Sequence, residues 1–525
     1  MRFKMSAVLG FAVTLGLVSF EARAQELKIG LMAEPSSIDP HFHLLTPNMS
    51  TLSHVYERLV HVAPDGALLP GLAESWKTIN DTTWEFKLKA GVKWHDGKPF
   101  TADDVVFSIL RAPNVPNSPA SFASVVKGKT PTKIDDVTVH ITTAQAFPLM
   151  AETMASLMIV SKAAGEGAKT EDYNSGKAAI GTGPYKFAEY VPGDKIVLTR
   201  NDAYHGKKAL WDKLTFKPIK AAPARVAALL AGDVDVVEDV PTTDIEKLKK
   251  DGKVDLVQTV SRRLIYFHMD QSRDETPFVK GKDGAAIKNP FKDARVRMAM
   301  SKAINREAIV SRVMEGAAIP ASQLMADQFP GTSKTLKPVA YDPEGAKKLL
   351  AEAGFPAGFK LTLHGPNGRY TNDVKIAEAV AQMLTRIGVE TAVETLPPAT
   401  FFSRASAGAA GNPEFSFILV GWSSDTGEVS GSLKPLLGSF NKDKGTGAAN
   451  RARYSNPALD QMIASAEMII DPKARNEALA KASEFAMQDT ALLPSHYPVS
   501  TWGLKKGLKY PGRVDEYTNA SDITR

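Results

Sequence analysis

Along the first part of the chain the apolar positions recur every second residue. TTWEFKL at 82–88 puts Trp84, Phe86 and Leu88 on one side, and DVTVHIT at 136–142 does the same with Val137, Val139 and Ile141. A period of two predicts strands with one face buried and one in water. Between them, Thr101-Ala102-Asp103-Asp104 precedes the apolar run VVFSIL, and this capping sequence predicts a helix opening there.

From about residue 290 the pattern changes to helices alternating with strands. DARVRMAMSKAI reads as a helix, and Asn305 caps a second, REAIVSRVMEG, that Gly316 should stop. Three further helices begin with a capping residue followed by proline: Asp342-Pro343, Asn456-Pro457 and Asp471-Pro472. The strands FKLTLHG (from Phe359), GVETAVE (from Gly388) and FSFILV (from Phe415) are interleaved with these helices, which is α/β layering. The last thirty or so residues are aromatic and basic without helical periodicity, and could return to pack on the first region.

The chain has 525 residues, more than one core usually supports, since single cores stop growing at about 250–300 residues. Two or three domains are expected. At its start, Arg2 and Lys4 precede the uncharged run MSAVLGFAVTLGLVSF, and Ala22-Arg23-Ala24 follows as a small-residue cleavage site. This is the layout of a secretory signal peptide over 1–24. No cysteine is present, so the exported chain can hold neither a disulfide nor a lipid on a junction cysteine. An unlipidated exported chain is expected in a Gram-negative periplasm. The net charge of +6 includes three basic residues and one acidic one in the leader, leaving a mild +4 on the mature chain. A binding surface for nucleic acid is not expected from so small an excess.

Catalytic motifs do not assemble. G-x-S-x-G and H-E-x-x-H are absent, and two isolated S-x-x-K tetrads, at Ser124 and Ser439, lack their usual companions. GVKWHDGK at 91–98 has one residue too many for a phosphate loop and no Ser or Thr after Lys98. The ten histidines are scattered, although His41 and His43 flank Phe42. Asp425 and Glu428, in GWSSDTGE after the FSFILV strand, form a carboxylate pair of the kind glycosidases use. An exported hydrolase therefore stays open as a rival, with no positive sign for it.

Several long segments resemble the family 5 extracellular solute-binding proteins, the dipeptide, oligopeptide and nickel receptors of ABC importers. They are WEFKLKAGVKWHDGKPFTADDVVFSI (84–109), IGTGPYKFAEYVPGDKIVLTRNDAYHG (180–206), KDARVRMAMSKAINREAIV (292–310), YDPEGAKKLLAEAGF (341–355) and RYSNPALD (453–460). They span nearly the whole mature chain in order.

The resemblance implies an α/β, two-lobed periplasmic binding protein fold of type II (the large cluster C form), with an extra strand-rich subdomain at about 70–170. The first lobe would comprise 25–269 plus 494–525 and the second 270–493, with crossings near 267–271 and 494–500. It also implies a monomeric, non-enzymatic receptor without cofactor or metal, which encloses a peptide-like ligand and hands it to an ABC permease. Nickel-chelate, opine and oligosaccharide receptors on the same scaffold are the alternatives.

By the same resemblance, Asp425 meets the ligand's ammonium, Trp422 walls it, and Arg369 with Tyr370 meets its carboxylate. Glu428 is expected outside the pocket. The loop SSIDPHFHLLTPN at 36–48 lines the first lobe's side of the cleft, where His41 and His43 could touch the ligand.

Overall fold

The computed structural model describes residues 25–119, 122–408, 412–424 and 426–525. The leader at 1–24 and Asp425 lie outside the described residues. Two sheets organise the molecule. In the first, strand Glu26–Leu31 lies parallel to Lys213–Pro218 on one side and to Val236–Val237 on the other. Lys195–Arg200 and Tyr185–Val191 extend it antiparallel. In the second, Lys360–Pro366 is parallel to Glu390–Leu396 and to Phe417–Ser423. Arg263–Met269 then pairs antiparallel with Phe417–Ser423.

Two stretches of chain join the sheets. Strand Leu493–Lys505 pairs through its first residues with Arg263–Met269, and through 499–505 with Val254–Val260. Val254–Val260 and Arg263–Met269 are separated only by Ser261 and Arg262. The first change of sheet partner thus falls at 260–263, ahead of the 267–271 expected. Every residue of Arg263–Met269 is already paired with Phe417–Ser423 and buried, so no slack remains further along.

A separate antiparallel sheet, Ala73–Asn80, Thr83–Leu88, Thr138–Thr143 and Lys129–Asp135, stands beside the first. Phe86, Leu88, Val139 and Ile141 are buried in it as their alternation requires. Val137 is not: the strand begins at Thr138, and Val137 sits 39% exposed in a turn where its N–H donates to Asp135 Oδ1. Helix Ala102–Arg111 covers this sheet, with Asp104 Oδ2 accepting the Thr101 N–H at 2.9 Å.

The proline-led helices form as their caps dictate. Asp342, Asn456 and Asp471 each accept backbone N–H groups of Pro343–Glu352, Pro457–Glu467 and Pro472–Gln488. After the cap at Asn305 the helix widens into a π-turn over Ile309–Val313, with Met314 N–H bonded to Ile309 C=O. Gly316, at φ 83°, ends the element. The C-terminal residues do return: Trp502, Leu504, Tyr510, Ala520 and Ile523 are buried in the core of the first sheet. Trp211 Nε1 donates to Ile523 C=O across that contact.

Five histidines are at most 1% exposed: His41, His54, His268, His364 and His496. Burial, the largest cause in each, lowers all five, holding His41 and His54 at about 4 and His268 and His496 at about 3. These folded values lie below an unfolded one of about 6.5, so the unfolded chain takes up more protons as pH falls. Their contribution is complete above about pH 6.5 and is lost as pH drops toward the folded values. Burial raises Glu152 and Glu238 to about 7, and Asp104, Glu467 and Asp522 to a smaller extent, which acts in the opposite sense. Against them His95, held at about 4, joins the five buried histidines. The urea midpoint is therefore expected to be lower at pH 5 than at pH 7.5. An equal or higher midpoint at pH 5 would contradict this account.

Candidate functional site: the cavity between the sheets

The parallel strands of both sheets end on one side of the joining chain. Ligands of open α/β sheets sit outside such carboxyl ends, where connections diverge. A cavity of about 330 Å³ lies there. On the first-sheet side it is lined by Met32 and Ala33 after one strand, and by Glu238 to Thr242 after Val236–Val237. On the second-sheet side Arg369, Tyr370 and Thr371 follow Lys360–Pro366, and Pro398 follows Glu390–Leu396. Arg263, residues 498–502 and Glu516 complete the wall.

Charge in this cavity is unevenly settled. Arg263 and Glu516 hold each other through both carboxylate oxygens, the shortest contact being 2.6 Å. Burial alone would raise the Glu516 pKa, but Arg263 and Ser261 together hold it below the ordinary value. Glu238 accepts from Met32 N–H at 2.7 Å and Thr518 Oγ1 at 3.0 Å, and burial pushes it up to about 7.

Arg369 differs from its neighbours. Its guanidinium stacks over the Tyr370 ring at 5.0 Å, and among the described residues no carboxylate forms an ion pair with it. Burial first, then Arg263, lowers its pKa. A guanidinium already stripped of much of its water loses little more on meeting a carboxylate. Its planar fork can then bind both oxygens.

The loop carrying Arg369 is fixed by its own helix. Asp373, first residue of Asp373–Arg386, accepts the N–H groups of Gly368, Arg369 and Tyr370. Tyr370 Oη donates to Gly421 C=O at 3.1 Å, tying this loop to the GWSSDTGE stretch.

The two sides of the cavity also touch. Thr371 Oγ1 donates to Asp239 Oδ1 at 2.9 Å, and Asn372 Nδ2 donates to Thr242 Oγ1 at 2.9 Å. These bonds exist only while the sides are together. Thr371→Val is therefore expected to weaken ligand binding by roughly two- to tenfold, the worth of one hydrogen bond. Calorimetry on the variant checks it, and an unchanged Kd would show that the contact does not hold the sides closed.

The residues expected at the site separate. Arg369 and Tyr370 line the cavity. The loop at 36–48 also reaches it, but through Leu45, Thr46 and Pro47 rather than its histidines. His41 is fully buried, its Nε2 bonded to Met158 C=O and its ring against Phe122. His43 is half-buried and meets Ser36 Oγ. Trp422 is half-buried against the apolar cluster that contains Leu264, Val420 and Leu433, and its Nε1 donates to Gly431 C=O at 2.8 Å, so that donor is already used.

Glu428 is buried in an ion pair with Arg475 at 3.1 Å and accepts from Ser430 Oγ at 2.6 Å. It is scaffold, and the paired-acid reading loses one member. Glu238, Asp239, Arg263 and Glu516 were not singled out from sequence. The first two could have been, since they directly follow the valine-rich stretch Val234-Asp235-Val236-Val237 at a strand's carboxyl end.

Comparison with known proteins agrees with this geometry. Residues 67–444 match the model of the bacterial extracellular solute-binding proteins, family 5. Heme-binding protein A of Haemophilus influenzae is 29% identical over 87% of this chain and 84% of its own. The dipeptide-binding protein of Escherichia coli is 28% identical, covering 92% and 91%. Among solved structures, the Escherichia coli murein tripeptide binding protein MppA superposes with a TM-score of 0.78 at 27% identity, covering 96% and 98%. The substrate-binding protein CtaP of an ABC transporter of Listeria monocytogenes gives 0.80 at 26%, covering 95% and 99%. With its two lobes and the cavity between them, the chain belongs to the family 5 extracellular solute-binding proteins of ABC transporters.

Proposed function

We propose that the protein is a periplasmic receptor that captures a short peptide between its lobes and delivers it to an ABC permease. The observation that carries this reading is Arg369, a desolvated guanidinium in the cavity wall with no ion-pair partner among the described residues. It suits a peptide's terminal carboxylate, and Asp425 is assigned the ammonium by its place in the Gly-Trp-x-x-Asp sequence. Two relatives are named for peptides, the dipeptide-binding protein and the murein tripeptide binding protein. At about 330 Å³ the cavity is near the lower end of ligand sites, about 300–1,000 Å³, which favours a short peptide over a long one.

Its hinges are placed at the two changes of sheet partner, 260–263 and 498–499. Ligand touching both sides then shifts the population to the closed form that the permease reads. No bond is made or broken, and the receptor acts as a monomer. Native mass spectrometry of protein purified from its own periplasm tests the reading. A co-purified short peptide is expected, and a haem, metal chelate or sugar in its place would overturn it.

A further inference from the structure

A second cavity, of about 470 Å³, shares no lining residue with the first. It lies among residues 53–70, the segment 513–522 and Arg262, and three arginines line it: Arg58, Arg262 and Arg513. They are 7%, 9% and 5% exposed. Buried polar groups are nearly always paired, so what each arginine meets decides what the cavity is for.

Arg513 is fully engaged. It forks onto Asp515 at 3.0 and 2.7 Å, reaches Asp522 at 3.0 Å and donates to Val62 C=O at 2.7 Å. The acid Glu57 is likewise satisfied by its own neighbours, with His205 and His61 on its two oxygens and Tyr204 Oη at 3.0 Å.

Arg58 and Arg262 are different. The Nε of each is buried without a hydrogen-bond partner. Among the described residues Arg58 has a long 3.4 Å contact to Met49 C=O and a distant Tyr517 ring at 6.0 Å. Arg262 has no side-chain hydrogen bond or ion pair among the described residues; only its backbone N–H is bonded, to Val514 C=O. Burial, together with repulsion from Arg513 and Arg262, holds Arg58 below the ordinary arginine pKa, although Tyr517 and Asp515 oppose this. Two desolvated guanidiniums thus face one cavity with no ion-pair partner among the described residues, while the acids that share its lining, Glu57, Asp515 and Asp522, are held by other groups. Lys207 lies at its edge, with Leu69, Pro64 and Pro70 as apolar wall.

We propose that this cavity is a second binding site, specific for the oxyanionic group of a small molecule, a phosphate or a carboxylate. An oxyanion in this cavity supplies acceptors to the parts of the Arg58 and Arg262 guanidinium groups that line it, through the charge-assisted hydrogen bonds arginine makes best. The volume is that of a small-molecule site, so the remainder of an organic anion fits against the apolar wall.

Calorimetric titration of the mature protein with inorganic phosphate and with citrate, at constant ionic strength set by chloride, tests this. Arg369→Gln in the first cavity serves as the comparison. Binding is expected in the wild type and in Arg369→Gln. In Arg262→Gln it is expected to weaken by about tenfold or more, the loss of a charge-assisted hydrogen bond. Arg262→Lys, which keeps the charge without the fork, falls between. Phosphate binding as tightly as citrate identifies a free phosphate ion; tighter citrate identifies an organic anion. No binding beyond chloride in the wild type would overturn the proposal. So would binding kept in Arg262→Gln but lost in Arg369→Gln.

Discussion

Glu428→Ala is expected to remove about 3–5 kcal/mol of folding stability, the cost of leaving a buried charge without its partner. Arg475, 6% exposed at its side chain, would keep only carbonyl contacts to Ile469 and Ile470, at 3.2 and 3.3 Å. Ser430 Oγ would lose its acceptor as well. The ligand affinity of the folded protein should stay the same, because Glu428 does not line the cavity. Urea unfolding and calorimetry on one preparation separate these effects. A weaker Kd with an unchanged unfolding midpoint would return Glu428 to the binding site.

The largest effect on binding is expected at Arg369. Arg369→Gln should weaken capture of a short peptide by about 2–5 kcal/mol, as truncation of a buried charge pair does. The loss should depend on the ligand's carboxylate. Amidating the peptide should cost the wild type a similar amount and the variant almost nothing, since the group that Arg369 meets is then already absent. Asp425→Ala should behave as the mirror image, sensitive to N-acetylation of the peptide. If Arg369→Gln binds both peptide forms as tightly as the wild type does, the carboxylate is held elsewhere.

Arg369 also marks how far the sequence could be read. The loop after FKLTLHG was legible as a local pattern, a strand ending in a short polar stretch; its Arg369-Tyr370 pair, which lines the cavity, came only from the family resemblance. The helices after Asp342, Asn456 and Asp471 were local patterns too, since capping side chain and N–H groups lie within a few residues. What neither pattern nor resemblance carried was side-chain direction. His41 and His43 lie in the right loop, but that loop turns His41 into the core. Trp422 follows the right strand and is half-buried against the apolar cluster that contains Leu264, Val420 and Leu433.

The sequence by itself determined the elements, their order and the family, since periodicity, caps and family segments are written in consecutive residues. Only the tertiary structure decided which charges are settled and which are open. Glu428 is paired with a residue 47 positions away, and Arg263 with one 253 away. Such partners carry no local signature, and burial makes the choice among them energetically large. Because those pairings were resolved in space, GWSSDTGE holds one structural acid, and Arg369, Arg58 and Arg262 have no ion-pair partner among the described residues.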